Sequence, residues 1–163
     1  MMTSGTRLTA FTLAARDGRT KAPLNILGQD MLVKVSSADS DGALAVFHAD
    51  VPPMSGPPLH RHSREDEWLY VIDGEITVEV DGQRSVLRAG GCAFVPRGTA
   101  HTFQNFGQAT AHMLATVVPG SNFNRFFEEV SAANHGLPVP DLARTAQIMN
   151  AHGLELLGPP LSR

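Results

Sequence analysis

His60 and His62 stand one residue apart, and Glu67 follows them across the polar bridge Ser63-Arg64-Glu65-Asp66. On a β-strand alternate side chains share a face, so the two imidazoles point one way and Arg61 points the other. A carboxylate on the next strand can then close on the same point. Imidazole nitrogen and carboxylate oxygen are the donors that hold Fe, Mn, Co, Ni, Cu or Zn, so this spacing proposes a divalent transition metal without choosing among the ions. Two histidines so spaced are by themselves often ordinary strand residues. A second stretch changes that weighing.

Downstream, Gly90, Pro96, Gly98, His101 and Asn105 stand in the order G-x5-P-x-G-x2-H-x3-N. The glycines and proline make a tight turn between two strands, and His101 opens the second strand. A third imidazole can therefore join the first two from a distant part of the chain.

Strands must position these side chains, and strand signals fill the region from Leu24 to Val118. Asp30–Val35 and Ala43–Val51 are β-rich runs separated by the turn-forming residues 36–42. Val51–Pro58 is proline-rich, lacks ladder donors, and is expected to be a loop feeding the histidine strand. Glu67–Ile72 is a strand ended by Asp73-Gly74. Glu75–Val80 and Gln83–Arg88 flank Asp81-Gly82, the strongest hairpin signal in the chain. With the runs around Cys92, His101 and Ala109–Val118, about nine short strands predict an antiparallel sandwich or barrel.

After Pro119-Gly120 the period changes. Phe123, Phe126, Phe127 and Val130 recur at helical spacing, with Ser121 or Asn122 as the cap. A second helix is predicted from Asp141 to a stop before Gly153, with Leu142, Ala146 and Met149 on one face. The opening residues 1–18 are too polar for a signal peptide and are read as a mobile arm or an added strand.

At 163 residues, 42% hydrophobic and 18% charged, the chain has the bounds of one globular domain. A net charge of −3 and a pI near 6.1 give no electrostatic case for nucleic acid or an anionic membrane. No apolar run reaches membrane-spanning length. The lone Cys92 forms no intrachain disulfide, which suits a reducing, cytoplasmic setting.

Together the two stretches resemble the signature motifs of the cupin superfamily. The first family motif reads G-x5-H-x-H-x(3,4)-E-x6-G, and His60, His62, Glu67 and Gly74 stand at its spacings. Glu65 is a rival carboxylate two positions nearer, and the spacing to Gly74 favours Glu67. The leading glycine would fall at Met54; the nearest glycine is Gly56. The second motif matches at every fixed position. The resemblance implies an all-β fold, a cupin jelly-roll β-barrel over about residues 24–118 with a short C-terminal α-helical tail over about 121–153, the chain 1–163 being a single cupin domain. It further implies that His60, His62, Glu67 and His101 line the interior around one divalent metal. The layout with its helical tail is also similar to single-domain bacterial cupins of the quercetin 2,3-dioxygenase-like group.

Three neutral imidazoles and one carboxylate on an octahedral ion leave two positions for water, substrate or O2. Resemblance to flavonol-cleaving cupins implies a dioxygenase acting on a small aromatic or enolisable substrate. In that reading Glu67 is a ligand and also the catalytic base that accepts the substrate hydroxyl proton. Two alternatives stand beside it: a non-oxidative isomerase, epimerase or lyase, and a cupin that binds a small ligand without turnover.

Other residues have plainer readings. His48 and His112 lie in strands and could face the barrel cavity, but hydrogen-bonded strand histidines are the commoner case. His135 and His152 sit near helix ends. Cys92 reads as a small buried hydrophobe, and Phe94, Phe103 and Met113 as core residues that could shape a pocket. Arg61, Arg64 and Arg97 read as solvated or ion-paired. Leu69 and Val71 share the parity of Glu67, while Trp68, Tyr70 and Ile72 make an apolar opposite face that needs a cover. The amino-terminal segment, the helical tail or a second subunit could supply it, and a homodimer is expected.

Overall fold

A computed structural model describes residues 8–163. Its strands are β1 (Leu24–Ile26), β2 (Gln29–Val35), β3 (Ala45–Val51), β4 (Pro58–His62), β5 (Asp66–Asp73), β6 (Glu75–Val80), β7 (Gln83–Arg88), β8 (Cys92–Val95), β9 (His101–Gln104), β10 (Ala111–Val118) and β11 (Leu154–Pro160). They form two antiparallel sheets, one of six strands in the order β1-β2-β3-β10-β5-β8 and one of five in the order β11-β4-β9-β6-β7. The sheets close face to face as a jelly-roll barrel.

Alternation of side chains explains which faces meet. In β3, Ala45, Phe47, Ala49 and Val51 are buried while Val46, His48 and Asp50 point outward. Ala111, Met113, Ala115 and Val117 of β10 repeat the pattern, as do Leu69 and Val71 of β5 and Ile76 and Val78 of β6. Burying a Val, Leu or Phe side chain contributes about 1.5–3 kcal/mol, so a one-residue slip of any of these strands would expose its whole inner set. The hairpin between β6 and β7 turns at Asp81 (φ 50°) and Gly82 (φ 74°) and closes on the pair Val80–Gln83. Left-handed backbone at both central residues is what the Asp-Gly pair favours.

Helices α1 (Phe123–Asn134) and α2 (Leu142–Ala151) follow the barrel. The buried stripe Phe123, Phe126, Phe127 and Val130 sets α1 against the inner core, with Phe127 edge-on to Phe47 at 4.8 Å. Asn122 occupies the cap position but is left-handed (φ 60°) and makes no side-chain cap. Asp141, read from the sequence as the helix start, instead caps α2, accepting from the Arg144 N–H at 2.9 Å. The buried face of α2 is Thr145, Ile148 and Met149, whereas Leu142 is 67% exposed. Thr145 is drawn inward because the Asn134 side-chain amide donates to its hydroxyl at 3.1 Å, which rotates the helix away from the face expected at Leu142 and Ala146.

Two expectations need correction. The residues after α2 form a strand, β11, which pairs with β4 and buries Leu154 beside it. The amino-terminal segment adds no strand over its described residues 8–18; it lies along the six-stranded sheet through the Arg16–Asp50 pair, and residues 1–7 lie outside the described residues. The proline-rich loop before β4 keeps its turn despite Met54, which adopts φ 59°, the left-handed conformation that glycine would supply. Gly56 has a different need, since a β-carbon there would collide with the Phe103 carbonyl.

Candidate metal centre

The alternation of β4 puts His60 and His62 on its inner face, while Arg61 points out to pair with Glu155 of β11. His101, first residue of β9, lies opposite His60 in the register. Glu67 comes from β5 in the other sheet, so the group spans both halves of the barrel. All four sequence-predicted residues are thus brought together, with candidate ligand atoms lying within 4.8 Å of one another. Glu67 Oε2 is 2.8 Å from His101 Nε2 and 3.9 Å from His62 Nε2.

The outer ring nitrogens decide which nitrogen faces inward. His60 Nδ1 donates to the Pro58 carbonyl at 2.8 Å, and His101 Nδ1 donates to the Thr99 carbonyl at 3.0 Å. A carbonyl only accepts, so both Nδ1 atoms carry protons and both Nε2 atoms are left for the centre. His62 differs: its Nδ1 is buried without a partner among the described residues. The ring of Phe123 stacks on His62 at 5.2 Å and 22°.

Protonation follows from this geometry. Burial, with the neighbouring imidazoles, lowers His60 to about 3. Burial also lowers His62. Burial works against charge on His101, but the hydrogen bond and charge of Glu67 outweigh it and raise that ring above its ordinary value. Burial alone would raise Glu67; the His101 hydrogen bond and the surrounding imidazoles overcome it and hold the carboxyl at about 2. The pair is an imidazolium donating to a carboxylate. Three imidazoles and a carboxylate, two rings locked with Nε2 inward, fit a divalent transition metal.

Glu65 is buried outside this group. Its Oε2 lies 3.9 Å from His62 Nδ1 and, like that nitrogen, has no hydrogen-bond partner among the described residues. Burial raises its pKa, against the hydrogen bond from the Ser121 side chain.

A cavity of about 80 Å³ lies against His60, His62 and Glu67, lined otherwise mainly by apolar side chains including Met31, Phe103, Met113, Phe123, Met149 and Leu154. An outer groove of about 620 Å³ along α2 and β11 shares Leu27, Pro58, Thr145 and Met149 with it, so those side chains form the wall between the two. The roles of Phe123, Met149 and Leu154 were not visible beforehand. Only the apolar periodicity of α1 hinted at the first.

His48 and His112 face outward, not into the cavity. Both meet Asp50 Oδ1, at 3.1 and 2.8 Å, and Arg16 occupies the same carboxylate. They are the hydrogen-bonded histidines of the plainer reading. Arg61 and Arg97 are ion-paired, the latter with Asp66. His152 ends α2 and meets Glu129 at 3.1 Å, and His135 ends α1. Phe103 and Met113 line the cavity, but Phe94 is 63% exposed and Cys92 is exposed. Both lie on the outer face of β8, beside Trp68 and Tyr70 in the register.

Residues 47–117 match the family described as Cupin domain (Cupin_2). The chain is 32% identical over 82 residues to the tetracenomycin polyketide synthase protein TcmJ of Streptomyces glaucescens, covering 49% of this chain and 55% of that one. It is 28% identical over 113 residues to quercetin 2,3-dioxygenase of Bacillus subtilis, covering 68% and 33% respectively. A solved structure described as a predicted oxalate decarboxylase from Thermotoga maritima superimposes with a TM-score of 0.53 at 27% identity, over 56% of this chain and 80% of that one. The chain therefore spans about half the length of the first relative and a third of the second. Two motifs in register, a two-sheet jelly roll that brings them together, and a matching family model over residues 47–117 show that this chain carries a cupin domain.

Proposed function

We propose that this cupin is a metal-dependent dioxygenase acting on a small, largely apolar substrate that carries an enolic or phenolic hydroxyl. The observation that carries the reading is the set His60, His62, Glu67 and His101, the first three of which line an apolar cavity. The similarity to a quercetin 2,3-dioxygenase supports it. Bound by these four residues, a divalent ion would supply Lewis acidity and, if redox-active, electron exchange with O2. His60 and His101 hold their rings in place through backbone carbonyls, and Phe123 fixes the plane of His62. Glu67, ionised at neutral pH, accepts the substrate hydroxyl proton at Oε2 as general base. The apolar wall excludes water around the resulting anion.

Cavity size narrows the substrate. A cavity of about 150 Å³ holds benzene, so a space of about 80 Å³ takes a short 1,3-diketone more readily than a flavonol. Either a short 1,3-diketone or a single ring would require Met149 or Leu154 to move aside, and a flavonol far more so. The shared wall makes the outer groove the approach route.

The test is anaerobic loading with each candidate metal, followed by oxygen uptake with a panel of 1,3-diketones, catechols and flavonols. Uptake is expected with the smallest enolisable members first. No uptake with any metal would overturn the oxygenase reading. The similarity to a polyketide synthase protein favours a second reading, non-oxidative chemistry on an enolisable carbonyl compound. Turnover under strict anaerobiosis with Zn would select it. In either reading we place the chain in the cytoplasm as a homodimer, joined through the outer face of β5 and β8.

A further inference from the structure

We infer that Glu65 is a positioning residue for His62, supplying the acceptor that fixes the ring once Nε2 is committed to a metal ion. The inference rests on the four-residue centre proposed above.

A histidine that binds metal through Nε2 carries its proton on Nδ1, and that N–H needs an acceptor when buried. His60 and His101 solve this in the same way, each donating to the carbonyl two residues earlier in its own chain segment. His62 does not. Its Nδ1 is one of four buried side-chain polar atoms without a partner among the described residues, and Glu65 Oε2 is another. These two atoms lie 3.9 Å apart, and both side chains are almost completely buried. One is a donor in the metal-bound tautomer, and the other is an acceptor in either protonation state of the carboxyl.

At 3.9 Å the contact is not a hydrogen bond; closing by about 1 Å would make it one. The surroundings permit that movement and little else. Phe123 stacks flat on His62, so the ring can turn in its own plane but not tilt. The Ser121 side chain, just before α1, interacts with the Glu65 carboxyl and opposes the rise that burial gives its pKa. When Nε2 is drawn toward an ion shared with His60, Glu67 and His101, Nδ1–H is left facing Glu65 Oε2. The contact then fixes the tautomer and makes the imidazole a stronger donor to the ion. Glu65 touches neither metal nor substrate, and its part is to position His62.

Zinc alone is the probe, so the test is independent of any turnover. Wild type, Glu65→Gln and Glu65→Ala are compared by competitive zinc titration and by nitrogen-15 NMR of labelled histidines in the zinc-loaded proteins. Removing such a partner typically weakens metal binding about 10- to 100-fold. That loss is expected for Glu65→Ala, while Glu65→Gln, which keeps an acceptor oxygen, stays within about threefold of wild type. In wild type, His62 should show a downfield Nδ1–H protected from exchange, retained in Glu65→Gln and lost in Glu65→Ala. A merely structural role for Glu65 would lower thermal stability without moving that signal. If Glu65→Ala does not fold, the wild-type spectrum decides: a His62 Nδ1–H that exchanges freely, or ligation through Nδ1, overturns the inference. Zinc affinity of folded Glu65→Ala within threefold of wild type overturns it too. A wild type that takes no zinc overturns the four-residue centre and this inference with it.

Discussion

Loading the centre with zinc should release about one proton per chain at pH 6, and the structure explains why it is not two or three. Three unperturbed imidazoles of pKa 6.5 would each be about three-quarters protonated at that pH, and would together release about 2.3 protons on ligation. Burial holds His60 at about 3, so that ring is already neutral, and burial lowers His62, so that ring carries less charge than a free imidazole. Glu67, at about 2, has no proton to lose. His101 alone has acceptors at both nitrogens, the Thr99 carbonyl and Glu67 Oε2, and its pKa is raised. Its Nε2 proton stands where the metal must go. Zinc-bound water, with a pKa of about 7 or above, adds little at pH 6. The assay is calorimetric titration of the metal-free protein in buffers of different ionisation enthalpy, whose slope counts the protons. The logarithm of zinc affinity should rise by about one per pH unit below the His101 pKa. Release near 2.3 protons, or none, would refute the assignment of a single charged ring to this site.

Other perturbations test other parts of the molecule. His62→Ala or His101→Ala should greatly lower metal content while far-UV circular dichroism stays unchanged; unchanged metal content would show that the ligands lie elsewhere. Met149→Ala opens the wall between groove and cavity, and should cost about 2–5 kcal/mol in urea unfolding while admitting larger apolar ligands by fluorescence competition. The Arg16 hydrogen bond, against the cost of burial, holds Asp50 at about 2 rather than 3.8. A depressed folded-state pKa stabilises above the unfolded value and is lost as pH falls through about 2. The unfolding free energies of wild type and Asp50→Asn should therefore converge by about 1 kcal/mol, after solvent screening, between pH 5 and pH 2. Trp68 and Ile72 are 37% and 42% exposed on the outer face of β5. Light scattering at micromolar concentration should give a dimer that Trp68→Lys with Phe94→Lys splits, and a monomeric wild type would count against that interface.

What could be read beforehand was what depends on local period. The His60–His62 parity, the Asp81-Gly82 hairpin and the aromatic stripe of α1 each follow from the spacing of a few neighbouring residues. Glu67 needed the spacing to Gly74, because Glu65 has the same chemistry two positions away. Elements that depend on distant partners were hidden. Nothing in the local pattern after α2 marks a strand, yet β11 pairs with β4 through Leu154, Glu155 and Leu156. Cys92 and Phe94 look like core residues by type, but β8 is an edge strand whose outer side has no neighbour among the described residues. Met54 shows the converse: the backbone conformation persists although the glycine does not.

The late strand β11 has a consequence for when the site is assembled. The histidine strand β4 meets β9 through the His60–His101 pair, and its other edge is closed by β11. Ser63 and Gly153, which tie these strands together, are 90 residues apart. Pairings of such long range form late in folding, since their loop entropy is met before their contacts reward it. During synthesis the histidine strand therefore waits with one edge open until residues 154–160 have left the ribosome. The four-residue cluster is thereby completed only after both helices have been made, and until then a nascent chain carries its histidines scattered.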